Sequence, residues 1–267
     1  MKKFYIEYKD EVILPPAVAK LPWTHNVILF ERIKEVEKRL WYMNEAVNSN
    51  WSKVVLEHQI DLKLYERQAI TDKSNNYEST LIDSQSDLAN DLQKDPYIFN
   101  LPLLNEKYVE SELENALIEK IKDVLLEFGK GFSFIGNQYK ISTENNDYYL
   151  DMLFYHLGLR CYIVVELKNT EFRPEYTGQL GFYVTAVDET LKKEHDNPTL
   201  GLLLCRGKDK LSVEWALKSL NAPIGVSSYE ITKKIPKEVL AMLPTEEDIN
   251  LHIDIEDKNI EKELLSP

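Results

Sequence analysis

Asp151 stands in the middle of Tyr148-Tyr149-Leu150-Asp151-Met152-Leu153-Phe154-Tyr155, a run otherwise made of apolar and aromatic side chains. A carboxylate buried there is costly unless it finds a partner. Farther along, Val164-Val165-Glu166-Leu167-Lys168 sets a second carboxylate and a lysine at the end of another apolar run. Side chains alternate along a strand, so Glu166 and Lys168 share one face while Leu167 takes the other. If the two runs are hairpin neighbours, Asp151 and Glu166 meet on that face. Hard oxygen ligands of this kind hold Mg²⁺ or Mn²⁺, which polarises a phosphodiester and lowers the pKa of a bound water, and the ammonium orients that water or stabilises developing negative charge. Phosphodiester hydrolysis is the chemistry such a set serves. The plainer alternative for either carboxylate is a structural ion pair at a strand end.

The elements that must position these residues follow from hydrophobic spacing. Val109, Leu113, Leu117, Val124 and Phe128 define one face of a single long helix from Val109 to Phe128, closed by Gly129 and Gly131. Strands are expected over Phe132–Ser142, Tyr148–His156 and Cys161–Leu167, and the short polar links between them imply antiparallel neighbours. A helix from Pro174 to about Asp188, a buried strand over Leu200–Cys205, a helix over Val213–Leu220 and a strand over Ile224–Ile231 complete the pattern. The order α-β-β-β-α-β-α-β is that of an α/β (α+β) domain, a mixed sheet flanked by helices.

Ahead of it, Pro15 and Pro16 read as an extended lead-in, and Leu21-Pro22-Trp23-Thr24 as a turn with Thr24 as a helix N-cap. Val27, Phe30, Ile33 and Leu40, then Trp51, Val55, Leu62 and Tyr65, recur at near-helical spacing. Residues 71–94 are polar and rich in Ser, Asn and Asp, which predicts a loop or loosely packed connector. The expected organisation is a helical N-terminal domain over 1–95, a second domain over 96–245 beginning near Asp95-Pro96, and a tail over 246–267.

A chain of 267 residues with 43% hydrophobic content can bury a substantial core. Its net charge of −13 speaks against a broadly basic nucleic-acid coat, yet a cluster of carboxylates that is neutralised only by a cation suits that sign. Cys161 and Cys205 sit in apolar runs without a CxxC spacing, so neither a disulfide framework nor a zinc site is indicated, and a reducing cytoplasm fits best. Lys2 and Lys3 precede no apolar stretch, and no run of 18 apolar residues occurs, so neither secretion nor membrane spanning is expected. Neither a phosphate-cradling glycine loop, a Ser-His-Asp order nor a Cys/His cluster is present.

Asp151 followed by Glu166-Leu167-Lys168, with a helix before and a helix after, resembles the PD-(D/E)XK nuclease superfamily, whose restriction-endonuclease-like core is a helix, three antiparallel strands, a helix and a further strand. The segments Gly131–Gln138, Tyr149–His156, Val165–Lys168 and Phe172–Gln179, in that order, more narrowly resemble the bacterial YhcG family. Gly201–Cys205 and Pro223–Ser227 extend the similarity to about residue 230. Leu21-Pro22-Trp23, Trp41-Tyr42, Trp51-Ser52 and Lys94-Asp95-Pro96-Tyr97 look like markers of the helical N-terminal domain with which that family pairs its nuclease domain. Typical members carry more residues before the Leu-Pro-Trp turn, so this N-terminal domain is expected to be short or incomplete.

The resemblance implies Asp151 and Glu166 as metal ligands, Lys168 as the catalytic lysine, and Mg²⁺ or Mn²⁺ as cofactor. It implies nucleic acid, DNA in particular, as the substrate, a homodimer where both strands are cut, and a protein or nucleic-acid partner for the N-terminal helices. A helix glutamate often completes such sites; Glu114 is the first choice and Glu110 its rival, with a solvated helix face as the alternative for both. Gln179 and Tyr183 lie on one helical face and resemble a Gln-x-x-x-Tyr feature of some of these nucleases, which assigns Gln179 to catalysis, against plain helix packing. Gln138 can contact phosphate or water, or be a neutral strand residue. His156 reads as structural rather than catalytic, Trp23, Trp41 and Trp51 as core rather than base-stacking residues, and Arg173, Lys192 and Lys193 as a solvated face rather than phosphate contacts. The rival functions are a non-catalytic binding module on the nuclease fold, and hydrolysis of another phosphate ester such as a nucleotide.

Overall fold

The structure, a computed structural model, describes residues 16–102, 104 and 107–232. The expectations for Pro15, for the last stretch of the second domain and for the tail over 246–267 fall outside the described residues.

Helices α1 (Pro16–Lys20), α2 (Trp23–Arg32), α3 (Val36–Asn48) and α4 (Lys53–Asp61) bury Leu29, Tyr42, Met43, Leu56 and Leu64 in a core of their own. Pro16 opens a helix here rather than extending the lead-in, as proline's fixed φ allows in a first turn. Thr24 is not an N-cap: α2 begins at Trp23 with Pro22 before it and no side-chain cap. Ser52 does cap α4, accepting from the Val55 amide.

The expected connector over 71–94 is ordered. It contains β1 (Ser74–Asn75), α5 (Tyr77–Thr80) and α6 (Asp83–Leu92), with Tyr77, Ser86, Ala89, Gln93 and Lys94 all buried. Composition misled because Gln93 and Asn76 are buried with their bonds made to a distant part of the chain. Gln93 donates to Ser227 Oγ at 2.9 Å, and Asn76 donates to the Ala222 carbonyl at 2.9 Å while accepting from the Ile224 amide.

Helices α7 (Glu110–Glu119) and α8 (Ile121–Phe128) replace the single long helix expected. The axis breaks at Lys120 (φ −106°, ψ 28°), yet Leu113, Leu117, Val124 and Phe128 still face one core. Val109, predicted on that face, is 60% exposed at the helix entrance.

Strands β3 (Phe132–Ser142), β4 (Asp147–His156) and β5 (Cys161–Glu171) form the predicted antiparallel meander. Helix α9 (Pro174–Thr190) then crosses over to β6 (Leu200–Gly207), parallel to β5, and α10 (Lys210–Leu217) leads to β7 (Ile224–Thr232), parallel to β6. α10 starts before its expected position because Asp209 caps it, accepting from the Ser212 amide at 2.8 Å. The sheet order is β1-β7-β6-β5-β4-β3, with β2 (Tyr97–Asn100) also paired to β7.

Helices cover both sheet faces, which explains why β5 and β6 are nearly continuous apolar runs. Leu113, Leu117 and Phe128 pack on one face with Phe154, Val165 and Leu167. Leu180, Val184 and Val187 of α9 pack on the other with Leu153, Val164 and Leu203. Glu166 therefore lies between two cores, on the central strands.

Candidate active site

The β4–β5 ladder runs from His156–Cys161 to Met152–Val165. One step beyond, Asp151 and Glu166 stand opposite each other and their side chains take over from the ladder. The Asp151 amide donates to Glu166 Oε1 at 3.4 Å, and the Leu167 amide donates to Asp151 Oδ2 at 2.9 Å. Each carboxylate thus satisfies a backbone N–H that would otherwise be orphaned as the strands part.

Lys168 follows Glu166 on the same face, as alternation requires. Its Nζ lies 2.9 Å from Glu110 Oε1 and 3.6 Å from Glu166 Oε2. The second Glu110 oxygen accepts from the Asn169 amide at 3.2 Å, so the first turn of α7 grips the outgoing end of β5. Glu114, one helical turn on, accepts from Gln138 Nε2 at 2.8 Å, and that amide also reaches Asp151 Oδ1 at 3.4 Å. Gln138 sits between the Asn137–Met152 and Tyr139–Leu150 pairs with φ 43°, just past the bulge near Gly136. That left-handed turn aims its side chain at the carboxylates.

The electrostatics follow from burial. Glu166 is 2% exposed, and burial first, then the charge of Asp151, push its carboxyl from 4.5 up to about 8. Burial likewise raises Asp151, against the Leu167 amide and the Lys168 charge. Burial and the Asp151 charge raise Glu114, opposed by the Gln138 amide. Burial pulls Lys168 down, but its bond to Glu110 and the Glu166 and Asp151 charges outweigh that, so the ammonium is held above its ordinary value. The lysine is a fixed cation here, not a base.

Two adjacent carboxylates that resist ionising together are the donor set of a hard divalent cation. Glu114 Oε1 is buried without a hydrogen bond, an acceptor in want of a positive partner. The donor chemistry of these residues fits such an ion, which Asp151, Glu166 and Glu114 would hold. Among the described residues no three acidic, histidine or cysteine side chains are already gathered closely enough to hold a metal.

Gln179 is exposed on α9 and donates to the Tyr183 hydroxyl at 3.0 Å. Tyr183 is 8% exposed in the α9 core, where burial and then the Glu166 and Asp151 charges raise its hydroxyl, against the bond from Gln179. His156 lies at the other end of β4. Its Nδ1 accepts from the Leu159 amide at 2.9 Å and its Nε2 meets the Lys130 carbonyl at 3.2 Å, so it locks a turn. Trp41 and Trp51 pack on the N-terminal core, whereas Trp23, expected inside, is 45% exposed. Arg173 pairs with Glu175 at 3.9 Å on the surface, and Lys193 is exposed. A hollow of about 850 Å³ at the β1 edge, lined by Trp41, Glu45, Thr71, Asn76 and Glu214, contains none of the site residues.

Three side chains at the site, Tyr108, Asn169 and Tyr176, carried no signal in the sequence. Asn169 donates to the Tyr108 carbonyl at 2.5 Å, and Lys168 Nζ lies 5.7 Å from the Tyr176 ring centre. Asn169, immediately after Lys168, was the one that adjacency could have suggested.

A mixed sheet presenting Asp151 and Glu166-Leu167-Lys168 from adjacent central strands, with Glu110 and Glu114 beside them, defines a PD-(D/E)XK nuclease-type domain. Residues 90–244 match the family described as the YhcG PDDEXK nuclease domain, and residues 1–67 match the DUF1016 N-terminal domain. The chain belongs to the YhcG PDDEXK nuclease family. A protein of Escherichia coli (strain K12), "Putative nuclease YhcG", is 31% identical over 207 residues, covering 77% of this chain and 55% of the relative. This chain therefore spans about half the length of that relative. Among solved structures, a repair endonuclease from Pyrococcus abyssi aligns over 49% of each chain at 16% identity with a TM-score of 0.31. An EndoMS complex with double-stranded DNA aligns over 50% of each chain at 16% identity with a TM-score of 0.33. No helix among the described residues is long and apolar enough to cross a membrane.

Proposed function

We propose that this protein is a divalent-cation-dependent nuclease that hydrolyses phosphodiester bonds of DNA. The observation that supports it best is the pair of buried carboxylates, Asp151 and Glu166, each bound to a backbone amide on the other's strand, with the Lys168 ammonium alongside. Asp151 and Glu166, with Glu114, would hold Mg²⁺ or Mn²⁺, which supplies Lewis-acid polarisation of the phosphoryl oxygen and a more acidic bound water.

The protein's own part is positioning and charge. Lys168, kept protonated by Glu110 and Glu166, orients the attacking water and stabilises negative charge as the phosphorus–oxygen bond breaks. Gln138 holds Asp151 and Glu114 in mutual register, and Glu110 fixes the lysine. Gln179, linked to Tyr183, would contact the substrate phosphate or water from α9. The helical N-terminal region, assigned to 1–95, would serve partner or nucleic-acid binding, the nuclease domain would occupy 96–245, cleavage of both strands would call for a homodimer, and the setting would be cytoplasmic.

The test is cleavage of linear, single-stranded and branched DNA at low salt with Mg²⁺ or Mn²⁺, comparing the protein with Glu166→Ala and Lys168→Ala. Loss of cutting in both folded variants supports the reading. Cutting that survives both places the activity elsewhere, and DNA binding without cutting by any form favours a non-catalytic module.

A further inference from the structure

The six arginines among the described residues differ sharply in what holds them. Arg32, Arg67 and Arg173 pair with Asp61, Glu127 and Glu175; Arg39 is buried; Arg160 is tied to the His195 carbonyl. Arg206 is exposed, and what acts on its guanidinium are tyrosines rather than carboxylates. Its Nε donates to the Tyr108 hydroxyl at 3.1 Å, the guanidinium carbon lies 4.6 Å from the Tyr108 ring centre, and the Tyr108 and Tyr229 hydroxyls are 3.3 Å apart. In a chain of net charge −13, Arg206 is an exposed guanidinium with no acidic partner among the described residues, held against an aromatic ring.

Arg206 is also close to the site. Cys205 is the register partner of Lys168, so Arg206 sits one residue farther along β6 and, by strand alternation, on the opposite sheet face, that of Leu204 and Tyr229. Tyr108, which orients it, also binds Asn169 through its carbonyl and precedes Glu110 by two residues. One short segment thus touches both the lysine end of β5 and the arginine end of β6. Stacking on Tyr108, the Nε bond and the neighbouring Tyr229 hydroxyl hold this exposed side chain in place, and a pre-organised guanidinium fork suits a phosphate better than a point charge does.

We propose that Arg206 binds a phosphate of the substrate strand adjacent to the scissile one, with Tyr108 as its positioning residue. This rests on the nuclease reading above. The experiment is binding of a short DNA duplex by fluorescence anisotropy in EDTA, where nothing is cut, across a salt series from about 50 to about 200 mM. A protein that neutralises one fewer phosphate loses about 0.9 from the slope of log affinity against log salt. Arg206→Ala should bind more weakly with its slope shallower by about that amount, so the wild-type advantage shrinks about threefold over the fourfold salt rise. Arg206→Lys should keep the slope and lose part of the affinity. Arg160→Ala, at the far end of the β4–β5 hairpin, should leave the slope unchanged. An unchanged slope in a folded Arg206→Ala overturns the assignment while leaving the nuclease reading intact. Failure of the wild-type protein to bind DNA overturns both.

Discussion

Replacing Glu166 by glutamine exposes the electrostatic tension at the site. The carboxyl is 2% exposed and its pKa stands at about 8 instead of 4.5, through burial first and the Asp151 charge second. In the unfolded chain it ionises near 4.5, whereas the folded protein keeps the proton up to about 8. The folded state therefore binds more protons across that window, and its stability falls as pH rises from about 4.5, levelling off above about 8. At about 1.36 kcal/mol per tenfold change, the interval amounts to on the order of 5 kcal/mol, shared by the Asp151–Glu166 pair. A domain of this size shifts its Tm by about 2–4 °C per kcal/mol, which gives roughly 10 °C. Glutamine keeps an acceptor for the Asp151 amide but cannot ionise. Thermal melts in EDTA at pH 5, 7 and 9 should show the two proteins similar at pH 5 and the variant more stable by roughly 10 °C at pH 9. Mg²⁺ at pH 8 should then raise the wild-type Tm, by about 2.7 kcal/mol of stability at a hundredfold excess over Kd, and leave the variant's nearly unchanged. Parallel curves with pH would refute the burial argument, and an equal response of both proteins to Mg²⁺ would refute the assignment of Glu166 as a ligand.

Three further outcomes follow from other contacts. Arg67 and Glu127 form a buried ion pair at 2.5 Å, so Arg67→Met strands a charge and should cost about 3–5 kcal/mol in urea unfolding. Gly131 has φ 98°, and a Cβ there would meet His156 Nε2 at 2.6 Å, so Gly131→Ala should lower stability by about 1–3 kcal/mol, and a neutral effect in the same assay would contradict the steric argument. Glu110→Ala removes the largest upward influence on Lys168, so the alkaline limb of the cleavage profile should move to lower pH and kcat should fall; a profile displaced upward would count against the clamp.

The sequence by itself determined the chemistry-bearing strands. An acid isolated in Tyr148–Tyr155 and the alternation Glu166-Leu167-Lys168 required a shared face, because the strand period is two and a buried carboxylate needs a partner. The short links of the β3–β4–β5 meander and the uninterrupted apolar run of β6 likewise told their neighbours and burial. Residues 71–94 were misread because composition registers polarity but not satisfaction, and Gln93 and Asn76 are buried with their bonds made by β7 and the loop before it. The break at Lys120 was hidden because the apolar positions stay in phase across it. Tertiary structure alone decided which helix glutamate does what. Glu110 and Glu114 lie one turn apart on the same face, and local pattern treats them alike. The seating of Leu113 and Leu117 against the sheet sets the rotation and depth of α7, and only that places Glu110 on Lys168 and Glu114 on Gln138. The same holds for Arg206, whose partners Tyr108 and Tyr229 lie 98 and 23 residues away in the chain and meet it only because β5, β6 and β7 are parallel neighbours ending at one edge.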